Sequence, residues 1–216
     1  MISLCEVSKE ISGRVVLDHI TATMQKGTIT GFQGINGSGK TMLMRVIAGL
    51  VKPTSGIVKI NGKRLGKDIS MPESMGILIE NPAFLDAYTG LQNLEMLASL
   101  KGRPDKEMLK ETLTTVGLNP SDKRKFKKYS LGMKQRLGIA AAVMNEPDVV
   151  LLDEPTNALD EAGLAMLRQV ILQQKERGAI VVLASHDRSF LEPLADDILV
   201  FHEGSARLIL SKNNCV

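Results

Sequence analysis

Apolar and polar positions along the 216 residues follow three successive patterns. Over the first sixty residues the apolar runs are short and β-rich, at 2–7, 15–17, 20–24, 28–32 and 57–60. They are broken by the turn pairs Ser12-Gly13, Lys26-Gly27 and Asn61-Gly62. Closely spaced strands of this kind predict an antiparallel β layer beside a core. Residues 76–79 read as a further buried strand, which Pro82 keeps from extending. From residue 88 to about 130 the spacing turns helical. Leu91, Leu94, Leu97 and Ala98 share one face, and a second amphipathic stretch runs over 105–116 before Gly117. Strands and helices then alternate. A helix is predicted over 131–144, a continuous apolar strand over 149–152 and a helix over 161–175. A second buried strand follows at 179–183, and a terminal hairpin at 198–201 and 206–210.

This layout predicts one domain over 1–216. Residues 1–87 and 131–216 would form the α/β core with its β layer, and 88–130 an inserted α-helical subdomain. Composition adds limits. At 44% hydrophobic and 24% charged the chain is an ordinary globular one, and no apolar run reaches membrane-spanning length. A net charge of +3 is too small to argue for nucleic acid. Cys5 and Cys215 have no metal-ligand spacing, and the first residues lack a signal-peptide layout, so a cytoplasmic location is expected. The strand pattern around Cys5 predicts a buried, inert thiol. His19 and His202 lack acidic or cysteine neighbours suited to a metal and read as surface or structural. The basic run 123–128 reads as a solvated face.

Chemistry enters at Gly34-Ile35-Asn36-Gly37-Ser38-Gly39-Lys40-Thr41, which fits G-x-x-x-x-G-K-[ST]. Glycines let successive backbone N–H groups curl around a polyphosphate, and the following helix aims its N-terminal dipole at the same anion. Asn36, Gly37, Ser38, Gly39, Lys40, Thr41 and Met42 are the candidate nucleotide-binding residues. Lys40 brings charge to the β- and γ-phosphates, and the Thr41 hydroxyl can ligate Mg²⁺. A strand-like stretch before the loop and a helix-like one after it supply the context the motif needs. The buried strand at 149–152 ends in Asp153-Glu154, the Walker B pattern. Asp153 is a candidate for Mg²⁺ and Glu154 for polarising an attacking water.

Ser130-Leu131-Gly132-Met133-Lys134-Gln135-Arg136 resembles the signature motif of ABC ATPases. Pro155-Thr156-Asn157-Ala158-Leu159-Asp160 resembles their D-loop, and Ala184-Ser185-His186-Asp187 their H-loop. The order of these motifs covers nearly the whole chain. The resemblance implies a RecA-like P-loop NTPase core that uses ATP and Mg²⁺. Two such domains would pack head to tail, on transmembrane permease subunits at the inner face of the membrane. Ser130, Leu131, Gly132 and Met133 would then act in trans on the partner's ATP. His186 would position the attacking water, and Asp160 would tie the two sites together. The second ATPase subunit could be the same chain or a different one.

Two departures refine the resemblance. The family usually has glutamine where this chain has Glu80, which by the resemblance would join His186 in organising the catalytic water and the metal but adds charge near the γ-phosphate. With the S-L-G-M-K-Q-R signature, Glu80 resembles the subgroup that exports bacitracin-like and lantibiotic peptides. The aromatic residue that often stacks on adenine falls on or near Ile11, so an aliphatic or Arg14 contact is expected instead. The implied function is the ATPase subunit of an exporter. A soluble ABC ATPase acting on ribosomes or DNA is one rival reading, and an ATP sensor with little hydrolysis is another.

Overall fold

The computed structural model describes residues 1–100, 102 and 104–212, so Cys215 lies outside the described residues. A four-stranded antiparallel sheet has the order β2-β1-β4-β5, from β1 (Ile2–Ile11), β2 (Arg14–Met24), β4 (Ser55–Ile60) and β5 (Lys63–Arg64). A six-stranded sheet has the order β10-β9-β3-β8-β7-β6. Its members are β3 (Ile29–Gln33), β6 (Met75–Leu78), β7 (Val149–Asp153), β8 (Ile180–Ser185), β9 (Asp197–His202) and β10 (Ser205–Ser211). All pair in parallel except β10, which closes one edge antiparallel.

The period of two along the central strands sets the layers. Val150 and Leu152 of β7, with Val181 and Leu183 of β8, face one apolar cluster. It is filled by α2 (Gly90–Ser99), α3 (Lys106–Thr115), α4 (Leu131–Val143), α5 (Glu161–Glu176) and α6 (Arg188–Leu194). Val149, Leu151, Ile180 and Val182 face the other way, into a second cluster shared with the antiparallel sheet and α1 (Lys40–Ile47). Both faces of β7 and β8 are covered, which is why these strands read as unbroken apolar runs. Gly76 lets α4 lie against β6, since a Cβ there would sit 1.6 Å from the Ala142 carbonyl oxygen.

Some expectations change. Residues 15–17 and 20–24 belong to one strand. The gap between them is a bulge against β1, with Glu6 and His19 at positive φ. That bulge also corrects the reading of Cys5. Ile2 and Leu4 point inward, so Cys5 points outward and is exposed, and the left-handed Glu6 then returns Val7 to the core. His19 and His202 are exposed, as expected. In the basic run, Lys123, Arg124, Lys127 and Lys128 are exposed while Phe126 is buried, packed 5.2 Å from the Phe84 ring. The short β5, the 3-10 turn at Phe126–Lys128 and α6 with its internal Pro193 were not expected.

Candidate functional site

Strands β3, β6, β7 and β8 run parallel and deliver their carboxyl ends to one edge of the sheet, where ligands bind in open α/β folds. The loop from β3 to α1 turns through Gly34, Gly37 and Gly39, all at positive φ. A Cβ on Gly34 would lie 2.7 Å from both the Phe201 carbonyl oxygen and Ser38 Oγ, so the curl requires glycine there. The N-cap of α1 is Gly39, with no side-chain cap, which leaves the first-turn N–H groups available to an anion.

Lys40 opens α1 and is 5% exposed. Its Nζ donates to the Gly34 carbonyl at 2.6 Å and the Ile35 carbonyl at 3.1 Å, and lies 3.6 Å from Glu154 Oε1. The Thr41 hydroxyl donates to Asp153 Oδ2 at 2.7 Å. Asp153 Oδ1 is buried without a hydrogen-bond partner, and burial pushes this carboxyl above its ordinary range. A hydroxyl and an unsatisfied carboxylate oxygen side by side are hard donors that fit a magnesium ion. No group of three or more His, Cys, Asp or Glu gathers as a metal cluster among the described residues. A cation here would therefore take its remaining ligands from phosphate and water.

Glu154 follows in a left-handed backbone conformation, at φ 45°. Its Oε2 lies 2.8 Å from His186 Nδ1, just beyond β8, so strand register brings these two residues together. Glu80, at the end of β6 and also left-handed, forms an ion pair with Arg45 of α1.

All of these groups except His186, which contacts Glu154 and is not in the lining, border a cleft of about 270 Å³. Asn36, Gly37, Gly39, Lys40, Thr41 and Met42 line one side of it, and Glu80, Asp153 and Glu154 another. Ser38 sits behind the loop, 4% exposed, with an unpartnered hydroxyl. The strand residue beside the cleft is Val16, whereas Ile11, 43% exposed, is not part of the lining. Sequence reading missed Val16 and Arg45, both of which line the cleft. Arg45 carried a usable signal, because it lies four residues after Thr41 and so shares its helix face.

Ser130, Leu131, Gly132 and Met133 are not among the residues lining this cleft. They open α4, where Ser130 is the N-cap and its Oγ accepts from the Met133 N–H at 3.2 Å. Leu131 is 68% exposed. Gly132 packs close to the chain before α5, since a Cβ would lie 2.9 Å from the Ala158 carbonyl oxygen. Asp160 caps α5 by accepting from the Gly163 N–H at 2.8 Å, and that bond holds its carboxyl below the usual range.

Beside the cleft runs a groove of about 410 Å³, with Leu50, Ile79, Pro82, Phe84 and Leu97 among its walls. Arg45 and Glu80 line both the groove and the cleft.

Residues 17–157 match the family described as ABC transporter. The chain is 43% identical to the uncharacterised ABC transporter ATP-binding protein YybJ of Bacillus subtilis (strain 168), over 99% of this chain and 100% of that one. It is 40% identical to the bacitracin transport ATP-binding protein BcrA of Enterococcus faecalis, over 92% of this chain but only 65% of the relative. The lantibiotic transport ATP-binding protein SrtF of Streptococcus pyogenes is 35% identical, with 98% and 90% covered. Relatives named for bacitracin and for lantibiotics are thus both present, as the subgroup resemblance implied. A solved dimeric structure of MJ0796, a bacterial ABC transporter cassette, superposes with a TM-score of 0.88 at 26% identity, covering 97% of this chain and 98% of that one. Family match, relatives and architecture agree: this chain belongs to the ABC transporter family, as one of its ATP-binding subunits.

Proposed function

We propose that the chain hydrolyses ATP as a dimer docked on separate transmembrane subunits, and so powers export of a peptide antibiotic. The observation that carries this reading is one cleft holding the Thr41–Asp153 pair, with its free carboxylate oxygen, next to the Glu154–His186 pair. The peptide class rests on the names of BcrA and SrtF. The dimer rests on the likeness to MJ0796.

Loop amides and Lys40 bind the polyphosphate, with Lys40 turning from its loop carbonyls to the phosphates. Thr41 and Asp153 would hold magnesium, which would supply neutralisation of the developing charge on the phosphates. Glu154 accepts a proton from the attacking water, with His186 orienting the carboxylate. Glu80, which lines the cleft with Asp153, would help His186 organise the water and the metal. Ser130 and Gly132, at the exposed start of α4, meet the γ-phosphate held by the other subunit. Leu131 and Met133 flank that contact, and Asp160, two residues after the Ala158 carbonyl that packs on Gly132, ties the two sites together. No helix among the described residues is long and apolar enough to cross a membrane. By the family reading the cassette sits at the inner membrane face on its permease, docked through the loop from Glu80 to Tyr88 and the helical insert, which border the groove beside Glu80.

The test is MgATP turnover by the purified chain and by Glu154→Gln, with size-exclusion chromatography in ATP. Turnover by the former, with an inert variant that elutes as an ATP-held dimer, supports the reading. Binding without turnover by the unsubstituted chain, persisting when it is reconstituted with its permease, would make it a sensor instead.

A further inference from the structure

Arg45 and Glu80 come from α1 and from the end of β6, 35 residues apart. Arg45 lies on the helix face that also carries Thr41, so α1 makes two contacts across the cleft, one to Asp153 and one to Glu80. Both partners line the cleft, and their side chains are 32% and 64% exposed. The charge inventory of the lining is uneven. Three carboxylates, Glu80, Asp153 and Glu154, face two cations, Lys40 and Arg45. Lys40 is already shared between two loop carbonyls and Glu154. That leaves Arg45 as the cation paired with Glu80 among the groups lining the cleft. Glu80 lines the same cleft as Asp153 and Thr41, so its charge faces the space a polyphosphate would enter.

We propose that Arg45 is a positioning residue for nucleotide binding: it holds and neutralises the Glu80 carboxylate, so that the incoming polyphosphate meets a carboxylate already paired. This rests on the ATPase reading and deepens it. A neutral amide in place of Glu80 would leave no charge there for Arg45 to neutralise. Because the pair also lines the groove, an occupant there would touch the same two side chains.

The experiment is a double-mutant cycle on MgATP hydrolysis with the full chain, using Arg45→Met, Glu80→Gln and the combination. Arg45→Lys serves as the charge-retaining variant, and thermal melting checks folding. A carboxylate freed at several ångströms from a polyphosphate in partly screened surroundings corresponds to about a tenfold effect. Arg45→Met should raise KM for MgATP about tenfold with a smaller change in kcat, more at low salt. Arg45→Lys should recover most of the loss. In the Glu80→Gln background the KM penalty of Arg45→Met should shrink to about twofold. An equal penalty in both backgrounds, or an unchanged KM in Arg45→Met, overturns the proposal. An unsubstituted chain that neither binds nor hydrolyses MgATP defeats the ATPase reading itself, and the proposal with it.

Discussion

Arg136 reaches from α4 to Asp160, with Nη2 3.1 Å from Oδ1, and so joins the helix behind the signature loop to the cap of α5 within one chain. The same guanidinium donates through Nη1 to the Val116 carbonyl at 3.1 Å, where α3 ends. A single side chain therefore fixes the relation of α3, α4 and α5. Asp160 was expected to act across the dimer, but here it has two partners in its own chain, Arg136 and the Gly163 N–H. Any role between subunits must be played by a carboxylate already oriented from within.

Arg136→Ala should cost about 1–3 kcal/mol of stability, because the Val116 carbonyl loses its charged donor and the fork cannot be replaced by water without rearrangement. Arg136→Lys should recover less than half, since an ammonium cannot span two acceptors set apart in this way. Asp160→Ala should cost less than Arg136→Ala, because the Val116 carbonyl keeps its donor. Urea denaturation with an unchanged m-value measures all three. Because Asp160→Ala also removes the cap on the Gly163 N–H, the double mutant is needed: a loss in Arg136→Ala no larger than the Arg136–Asp160 coupling would place the value of the arginine in the ion pair alone.

Acid should find the caps. Arg124 beside Asp122, the Gly163 N–H at Asp160 and the Ser189 hydroxyl at Asp187 each hold a carboxyl below its ordinary value of 3.8. A depressed folded pKa means that the unfolded chain takes up protons first as pH falls. The stability these groups give is thus complete above about pH 3.8, and it is lost as pH drops through their folded values. The chain carrying Asp160→Asn and Asp187→Asn should melt a few degrees below the unsubstituted chain at pH 6. The gap should narrow as pH falls below 3.8 and the folded-state acids take up their protons. A gap that stays constant as pH falls through that range, for as long as the chain stays folded, would show that the charge of these caps contributes nothing.

The nucleotide site was legible because its chemistry is local in sequence. The P-loop needs glycines, a lysine and a hydroxyl within eight residues, and Asp153-Glu154 needs only a buried strand before it. Continuous apolar runs at β7 and β8 carried the parallel sheet for the same reason. What lay outside reach depends on contacts between distant segments. The Arg45–Glu80 pair spans 35 residues and the Arg136–Asp160 pair spans 24, and no spacing rule connects them. Cys5 was misread because an unbroken alternation through Val7 puts Cys5 and Val7 on one face, whereas the left-handed Glu6 shifts the register after Leu4 and leaves Cys5 on the outer face. α6 went unread because seven residues are too few for a clear helical period, and Pro193 at its penultimate position ends it without breaking it.

Asp153 should show the conflict between stability and function most directly. Its carboxyl is 5% exposed with one oxygen unpartnered, and burial raises its pKa over the opposing effect of the Thr41 hydrogen bond. The folded chain therefore keeps this proton to higher pH than the unfolded chain does. Stability falls as pH rises through that interval, and by neutral pH the whole cost is present. Asp153→Asn removes the charge and keeps an oxygen to accept from Thr41. In EDTA without nucleotide the variant should be more stable by about 1–2 kcal/mol, which for a chain of this size is a melting shift of about 2–8 °C. MgATP should reverse the order, raising the melting temperature of the unsubstituted chain and leaving that of the variant nearly unmoved. Differential scanning fluorimetry in the two buffers gives both numbers from one experiment. If the variant melts lower than the unsubstituted chain in EDTA, the Asp153 carboxylate is a stabilising group at rest. The cleft then does not hold it in readiness for a cation.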